Sequence, residues 1–298
     1  MKNIVIYSNC HGNIIKLMFE KHNLINNEVN VKYFSNYEHL HNEKLSPEHL
    51  SLLKSCDIFI YQPFNNHFNH TEYDIKHIKN CLNENALIIR INYYRFKGFW
   101  YNCNYFTFNY FEGYQFAETN NSGLYDGVVN ISNKNNKDDI KSYINNIKIE
   151  TNELDKFFNI ELNNLKKIDD NSDVNMYDYF LSNYKNIKLF HDPYHPTNHF
   201  FYEIFKQLVK IIFKKNLINN DLYFIDSLKE NEMTHWTSPI LPIIKSYLNL
   251  NYSCEIYKVF FPGWNPQILY LNIYDYYFIR LCQNNFKKFL EGYNYQVN

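Results

Sequence analysis

Residues 4–12 read Ile4-Val5-Ile6-Tyr7-Ser8-Asn9-Cys10-His11-Gly12. Four apolar or aromatic residues make a short β-type run, and a polar turn with a cysteine follows. From Asn13 to His22, Ile14, Ile15, Leu17 and Met18 recur at the helical period, with Lys16, Glu20 and Lys21 on the polar side. The stretch is therefore a strand, a tight loop and a helix. The chain then repeats the alternation. Asn30 to Phe34 reads as a strand, and Pro47 to Lys54 as a helix that starts after Ser46 with proline at its first position. Asp57 to Tyr61 is a strand stopped by Gln62-Pro63, Thr71 to Asn83 a helix, and Ala86 to Ile91 a strand with the mostly apolar composition of one buried on both faces. Such alternation predicts an α/β fold, a parallel sheet covered by helices on both faces.

Further on, Tyr93 to Tyr114 is aromatic and carries Gly98 and Gly113. Asp138 to Ile147 and Glu153 to Lys167 have helical periodicity, and Asn171 to Asn183 reads as helix or loop. Ile187 to Phe190 leads into His191-Asp192-Pro193-Tyr194-His195-Pro196-Thr197. A long helix is expected from Asn198 to Lys214, capped by Thr197, with Phe201, Ile204, Phe205, Leu208, Ile211 and Ile212 on one side. The pattern changes after Asn219-Asn220. Residues 221–298 hold two of the three Trp and four of the eight Pro, with a helix expected near Tyr274 to Leu290. A catalytic domain over 1–220 and a mostly helical appended subdomain over 221–298 are the expectation.

The composition bounds what this chain does. A net charge of −1 over 298 residues gives no nucleic-acid footprint. With 45% hydrophobic residues there is material for a sizeable core, yet Gly numbers only 7, Ala occurs only at Ala86 and Ala117, and Arg only at Arg90, Arg95 and Arg280. That bias matches an A/T-rich genome and marks the many Asn residues as drift rather than sites. No run reaches the 18 or more apolar residues of a membrane span, and Ile4 to Tyr7 is too short for a signal core. Six cysteines without CxxC spacing read as free thiols in a reducing compartment, so a cytoplasmic location is expected.

Three elements carry chemistry. In a parallel sheet, ligands bind beyond the carboxyl ends of the strands. Cys10 lies there, just before a helix whose N-terminus favours a thiolate and an oxyanion. Gly12 permits close approach of a ligand to the backbone. A nucleophile needs a base and the base an orienting acceptor; Asp192 and His195, three residues apart in a turn stiffened by Pro193 and Pro196, supply that pair. Gln62, ending a strand that should neighbour the first, can donate its amide to an oxyanion. Each has a plainer reading: a small buried Cys, a chance DxxH among twelve His, a polar strand end. A metal site from His191, His195 and His199 is disfavoured because Pro193 and Pro196 break the helix it requires, and His67, His70 and Glu72 lack a second ligand group at metal spacing.

Taken in order, strand–SNCHG, strand–QP and DPYHPTN before a long amphipathic helix resemble the WcbI-type polysaccharide biosynthesis family over about residues 3–215. That family resembles SGNH/GDSL hydrolases in layout, implying an SGNH-like three-layer sheet, with Cys10 where the GDS block has its serine and Asp192/His195 on the DxxH block. The resemblance implies an acetyltransferase of capsule-type glycans with coenzyme A as acyl carrier, acting on a sugar or nucleotide-sugar acceptor. Two departures stand out: Ser8 replaces the usual Gly and offers a second nucleophile, and His11 replaces the usual Gln and either joins the catalytic network or fills that place. Backbone N–H groups at Cys10 and His11, within the Ser8-Asn9-Cys10 turn and with Gln62, are expected to hold the oxyanion. Gly12 and Asn13 at the helix start, with Arg95 and Lys97, are the candidates for the cofactor and its phosphates. An esterase or deacetylase with water as acceptor, and a glycan-binding protein without catalysis, are the rivals. Trp236, Trp264, Phe260 and Phe261 form either an acceptor-sugar platform or core, and a homo-oligomer is possible.

Overall fold

The computed structural model describes residues 1–36, 38, 44–63, 72–101, 107–111, 114–118, 136–218, 221–228, 237–252, 257–261 and 267–281. In chain order the first part contains β1 (Lys2–Ser8), α1 (His11–Lys21), β2 (Val29–Ser35), α2 (Pro47–Ser55), β3 (Ile58–Tyr61), α3 (Ile75–Asn80) and β4 (Leu87–Arg90). There follow β5 (Thr107–Phe111), β6 (Tyr114–Glu118), α4 (Lys137–Asn145), α5 (Thr151–Asp169), α6 (Tyr177–Asn183), β7 (Phe190–Asp192), β8 (His195–Pro196) and α7 (Asn198–Phe213). The last part has α8 (Leu222–Ser227), α9 (Pro242–Leu248), β9 (Tyr257–Phe261), β10 (Gln267–Leu271) and α10 (Ile273–Leu281). The chain forms two compact units from interleaved segments: 1–94, 165–181 and 198–229 in one, 95–164, 182–197 and 230–298 in the other.

The first unit holds the parallel sheet, in the order β2-β1-β3-β4. The chain enters at β1, moves one place outward to β2, then crosses back over β1 to β3. β1 and β3 therefore flank the point where the winding reverses, the place where open α/β sheets bind ligands. In the central strands β1 and β3, successive side chains supply two buried, mostly apolar faces. Val5, Tyr7, Phe59 and Tyr61 share one core with Leu53 of α2 and Ile78 of α3. Ile6 faces the opposite way, toward the first turn of α1, and α1 packs along α7, with Phe19 and Phe205 rings 5.0 Å apart. Helix, sheet and helix make the three layers.

Local chemistry sets the helix ends. Ser46 accepts the His49 N–H at 3.1 Å with Pro47 at the first position of α2. α3 starts at Ile75 because Asp74 accepts the Lys76 N–H at 2.7 Å; the expected start at Thr71 lies outside the described residues. α6 is shorter than the expected 171–183, since Asp169 accepts the Met176 and Tyr177 N–H groups and fixes the helix start there. The Thr197 hydroxyl, just before α7, donates to the Lys188 carbonyl at 2.9 Å. In the second unit, Phe96 packs against Phe99, Phe158 and Phe190 around the fully buried Trp100. A Cβ on Gly98 would lie 2.4 Å from Phe96 Cζ, so only glycine fits there. Beside its helices, the segment beyond 229 carries the antiparallel pair β9–β10.

His22, at the end of α1, is buried against Phe224, Phe205 and Tyr202, with ring centroids 4.7, 5.3 and 6.5 Å away. Burial lowers its pKa below the ordinary 6.5, with Asp221 pulling weakly the other way. His199 is lowered by burial too, against Asp226. The unfolded chain therefore binds protons near and below pH 6.5 that the folded chain refuses, so stability is full above that value and is lost as pH falls through it. The melting temperature should drop between pH 7.5 and 5.5, and His22→Phe, which keeps the aromatic packing, should shrink that drop in a thermal melt.

Candidate active site

The loop after β1 is held at both ends. Gln62, immediately after β3, donates its N–H to the Tyr7 carbonyl at 2.9 Å, and its side-chain Oε1 accepts the Asn9 N–H at 3.0 Å. Asn9 Oδ1 in turn accepts the His11 N–H at 3.0 Å. The N–H groups of Gly12 and Asn13 go to the carbonyls of Asn9 and Cys10 at 3.0 and 3.2 Å. The first donors of α1 are thus spent within the turn, and the expected pairing of Cys10 with His11 as oxyanion donors is not what the turn leaves open. Among the described residues, the donors it leaves open are the Cys10 N–H, for which there is no acceptor, and the buried Gln62 Nε2, which has none either. A buried amide N–H without an acceptor is costly, and of this pair Gln62 Nε2 is the buried one, whereas Cys10 is exposed.

Cys10 takes the N-cap position of α1 with an exposed side chain that makes no cap hydrogen bond. Ser8 is fully buried; its hydroxyl donates to the Asn9 carbonyl at 2.9 Å. His11 is also buried, its ring 4.9 Å from Tyr93 and 5.2 Å from Phe201. Gly12 is required by packing: a Cβ there would stand 2.1 Å from Ser8 Oγ and 2.9 Å from Ile6 and Tyr33. Asn13 is half-buried on the first turn. Tyr33 carried no signal in the sequence; its hydroxyl reaches the Asn9 carbonyl at 3.1 Å from the neighbouring strand.

Asp192 and His195 form a self-contained dyad in the second unit. β7 and β8 pair as a miniature antiparallel hairpin, with Asp192 opposite His195 and Pro193-Tyr194 as its turn. Asp192 Oδ1 accepts the N–H groups of Tyr194 and His195 at 2.8 and 3.0 Å. Asp192 Oδ2 accepts a hydrogen bond from His195 Nδ1 at 2.6 Å. One oxygen shapes the turn and the other orients the ring, as a buried carboxylate does for a general base. The carboxylate is 1% exposed and the imidazole 29%. The Phe96 N–H donates to the Pro193 carbonyl at 2.9 Å, and Lys97 Nζ lies 5.9 Å from the Tyr194 ring centre. Lys97 is thereby brought to the hairpin; Arg95 is exposed. Among the described residues, no three His, Cys, Asp or Glu side chains gather as metal ligands. Glu72 accepts the Leu45 N–H at 2.9 Å, while His67, His70, Trp236 and Trp264 lie outside the described residues.

The family model described as polysaccharide biosynthesis enzyme WcbI matches residues 3–212. No curated protein matches the chain. A solved structure of WcbI, described as a novel polysaccharide biosynthesis enzyme in native form without the disulfide bond between coenzyme A and one of its cysteines, is similar with a TM-score of 0.61. It is 15% identical, and the alignment covers 98% of this chain and 91% of that one. At that identity the likeness shows the fold. Among the described residues no helix is long and apolar enough to cross a membrane.

The dyad geometry has a direct consequence. In Asp192→Asn the oxygen that accepts the two backbone N–H groups can remain, but an amide facing His195 Nδ1 donates, so the imidazole proton should move to Nε2. The ¹⁵N shifts of the His195 ring should report that exchange, with a loss of about 1–3 kcal/mol in stability by denaturant melt. An unchanged tautomer would mean that Asp192 does not orient the ring.

Proposed function

The chain belongs to the WcbI family of polysaccharide biosynthesis enzymes, and on that premise we propose that it transfers an acetyl group from acetyl-coenzyme A to a sugar hydroxyl or amine. The observation that carries this reading is the exposed Cys10 thiol at the start of α1, together with two donors that have no acceptor among the described residues: its own N–H, and the Nε2 of Gln62, whose Oε1 accepts the N–H of Asn9, the residue before Cys10. An acyl carbonyl oxygen that becomes negative in the transition state suits such donors, and one well-placed oxyanion donor contributes roughly 10²–10³-fold. Acetyl-coenzyme A supplies the activated acetyl group. Lys97 and Arg95 are the cations for its phosphates, and Asn13, whose side chain has no partner among the described residues, offers a polar contact at the start of α1.

The route follows from the residue roles. Cys10 sulfur attacks the acetyl carbonyl carbon, a new S–C bond forms, and the thioester C–S bond breaks. The Cys10 proton passes to His195 Nε2 and from there to the departing thiol. His195 then takes a proton from the acceptor hydroxyl or amine. The acceptor's O–C or N–C bond forms as the Cys10 S–C bond breaks, and the proton returns to the Cys10 sulfur. Asp192 keeps Nδ1 protonated throughout, leaving Nε2 for proton transfer. The order of the motifs along the chain, rather than a distance, joins the Cys10 loop to the dyad. In a direct variant of the route, His195 deprotonates the acceptor while the same donors hold the oxyanion and Cys10 stays unmodified.

The test is intact-mass spectrometry and thermal melting of the wild type, Cys10→Ala and His195→Ala with coenzyme A and acetyl-coenzyme A. Ligand that binds the folded state should raise the melting temperature by mass action. An added acetyl mass on the wild type, absent from Cys10→Ala, marks the covalent route. His195→Ala should slow transfer to acetylatable sugars by about 10²–10⁴-fold. Absence of stabilisation by either form of coenzyme A would overturn the assignment of the acyl donor.

A further inference from the structure

The direction of the Cys10 N–H has a cause of its own. Asn9's carbonyl oxygen accepts three hydrogen bonds: from Ser8 Oγ at 2.9 Å, from the Gly12 N–H at 3.0 Å and from Tyr33 Oη at 3.1 Å. Among the described residues there is no cis peptide. In a planar trans peptide the carbonyl and the following N–H point in opposite directions. Three donors that draw the Asn9 oxygen toward β2 and the first turn of α1 therefore turn the Cys10 N–H the other way, with no acceptor among the described residues. The Gly12 bond belongs to the helix turn itself. The two hydroxyls have no helical duty. Tyr33 reaches the oxygen because the parallel register pairs it with Ile6 and Ser35 with Ser8. Ser8 is fully buried and gives its proton to that same oxygen.

We propose that Tyr33 and Ser8 are positioning residues for acyl transfer: their hydroxyls clamp the Asn9–Cys10 peptide so that its N–H, with Gln62 Nε2, meets the oxyanion that develops during attack on the acyl carbonyl. The inference rests on the acyl-transfer reading above and gives Ser8 a role other than nucleophile. Loss of either hydroxyl leaves the Cys10 sulfur and its neighbours in place but frees the peptide to rock. The acyl step then weakens, while chemistry at the sulfur that builds no oxyanion does not.

Two rates on the full-length protein separate these effects. Acetylation of Cys10 by acetyl-coenzyme A, read by quenched-flow intact mass, passes through an oxyanion. Alkylation of Cys10 by iodoacetamide, a displacement at saturated carbon, does not, and it reads only the exposure and ionisation of the thiol. Tyr33→Phe and Ser8→Ala should each slow acetylation by about tenfold, the order of one hydrogen bond, with alkylation rate and acetyl-coenzyme A affinity unchanged and the melting temperature lowered by no more than about 2–4 °C. Equal acetylation in wild type and variants, or a parallel fall in both rates, would overturn the clamp. If Tyr33→Phe does not fold, Ser8→Ala alone decides. A wild type that alkylates but never acetylates would instead remove the covalent reading and this inference with it, a result distinct from equal rates in wild type and variant.

Discussion

A hydrogen bond of 3.0 Å from the Asn9 N–H to the Gln62 side-chain oxygen ties together the ends of β1 and β3, and the geometry of the Cys10 loop depends on it. The two strands are neighbours only because the chain crosses back over β1 after β2. That winding brings a residue more than fifty positions away to the turn that carries the thiol. Once Gln62 Oε1 is committed to Asn9, its Nε2 must face elsewhere, and it finds no acceptor. The same bond that orders the loop thereby leaves a donor unused.

The dyad follows a different economy of design. It needs no long-range partner to form, since the hairpin, the turn and the carboxylate–imidazole contact all lie within Phe190 to Pro196. What lies around it fixes its place in the unit: Phe96 binds the Pro193 carbonyl, and Ser238 donates its N–H to the His191 carbonyl at 2.8 Å. Phe96 also leads the aromatic core around Trp100, so the stretch that carries Lys97 is anchored by packing as well as by the backbone.

Much of this could be read in the sequence. Cys10 was visible because a polar turn after an apolar run, followed by a helical period, fixes its place in a parallel sheet. Asp192 and His195 were visible because three-residue spacing across a proline turn lets a carboxylate reach an imidazole. Other features depend on contacts between distant segments. Tyr33 is one aromatic among many until strand register sets it against the Asn9 carbonyl. Whether the His11 N–H stayed free could not be read, because Asn9 can cap the turn or face outward. The hairpin of β7 and β8 is too short for an alternation to appear, so the sequence showed only a turn before α7. The shortened α6 depends on Asp169, whose carboxylate reaches forward to Met176 and Tyr177.

Asp192 divides its labour between two oxygens, one for the fold of the turn and one for the ring of His195. This has a consequence at the level of the gene. The codons of aspartate and asparagine differ by a single G-to-A change at the first base, and a composition poor in Gly, Ala and Arg shows drift in that direction. Asparagine can still accept the two backbone N–H groups but turns a donor toward His195 Nδ1, so such a change keeps the turn and gives up the contact that orients the ring. One base thus separates a carboxylate that serves both the turn and the ring from an amide that serves the turn alone.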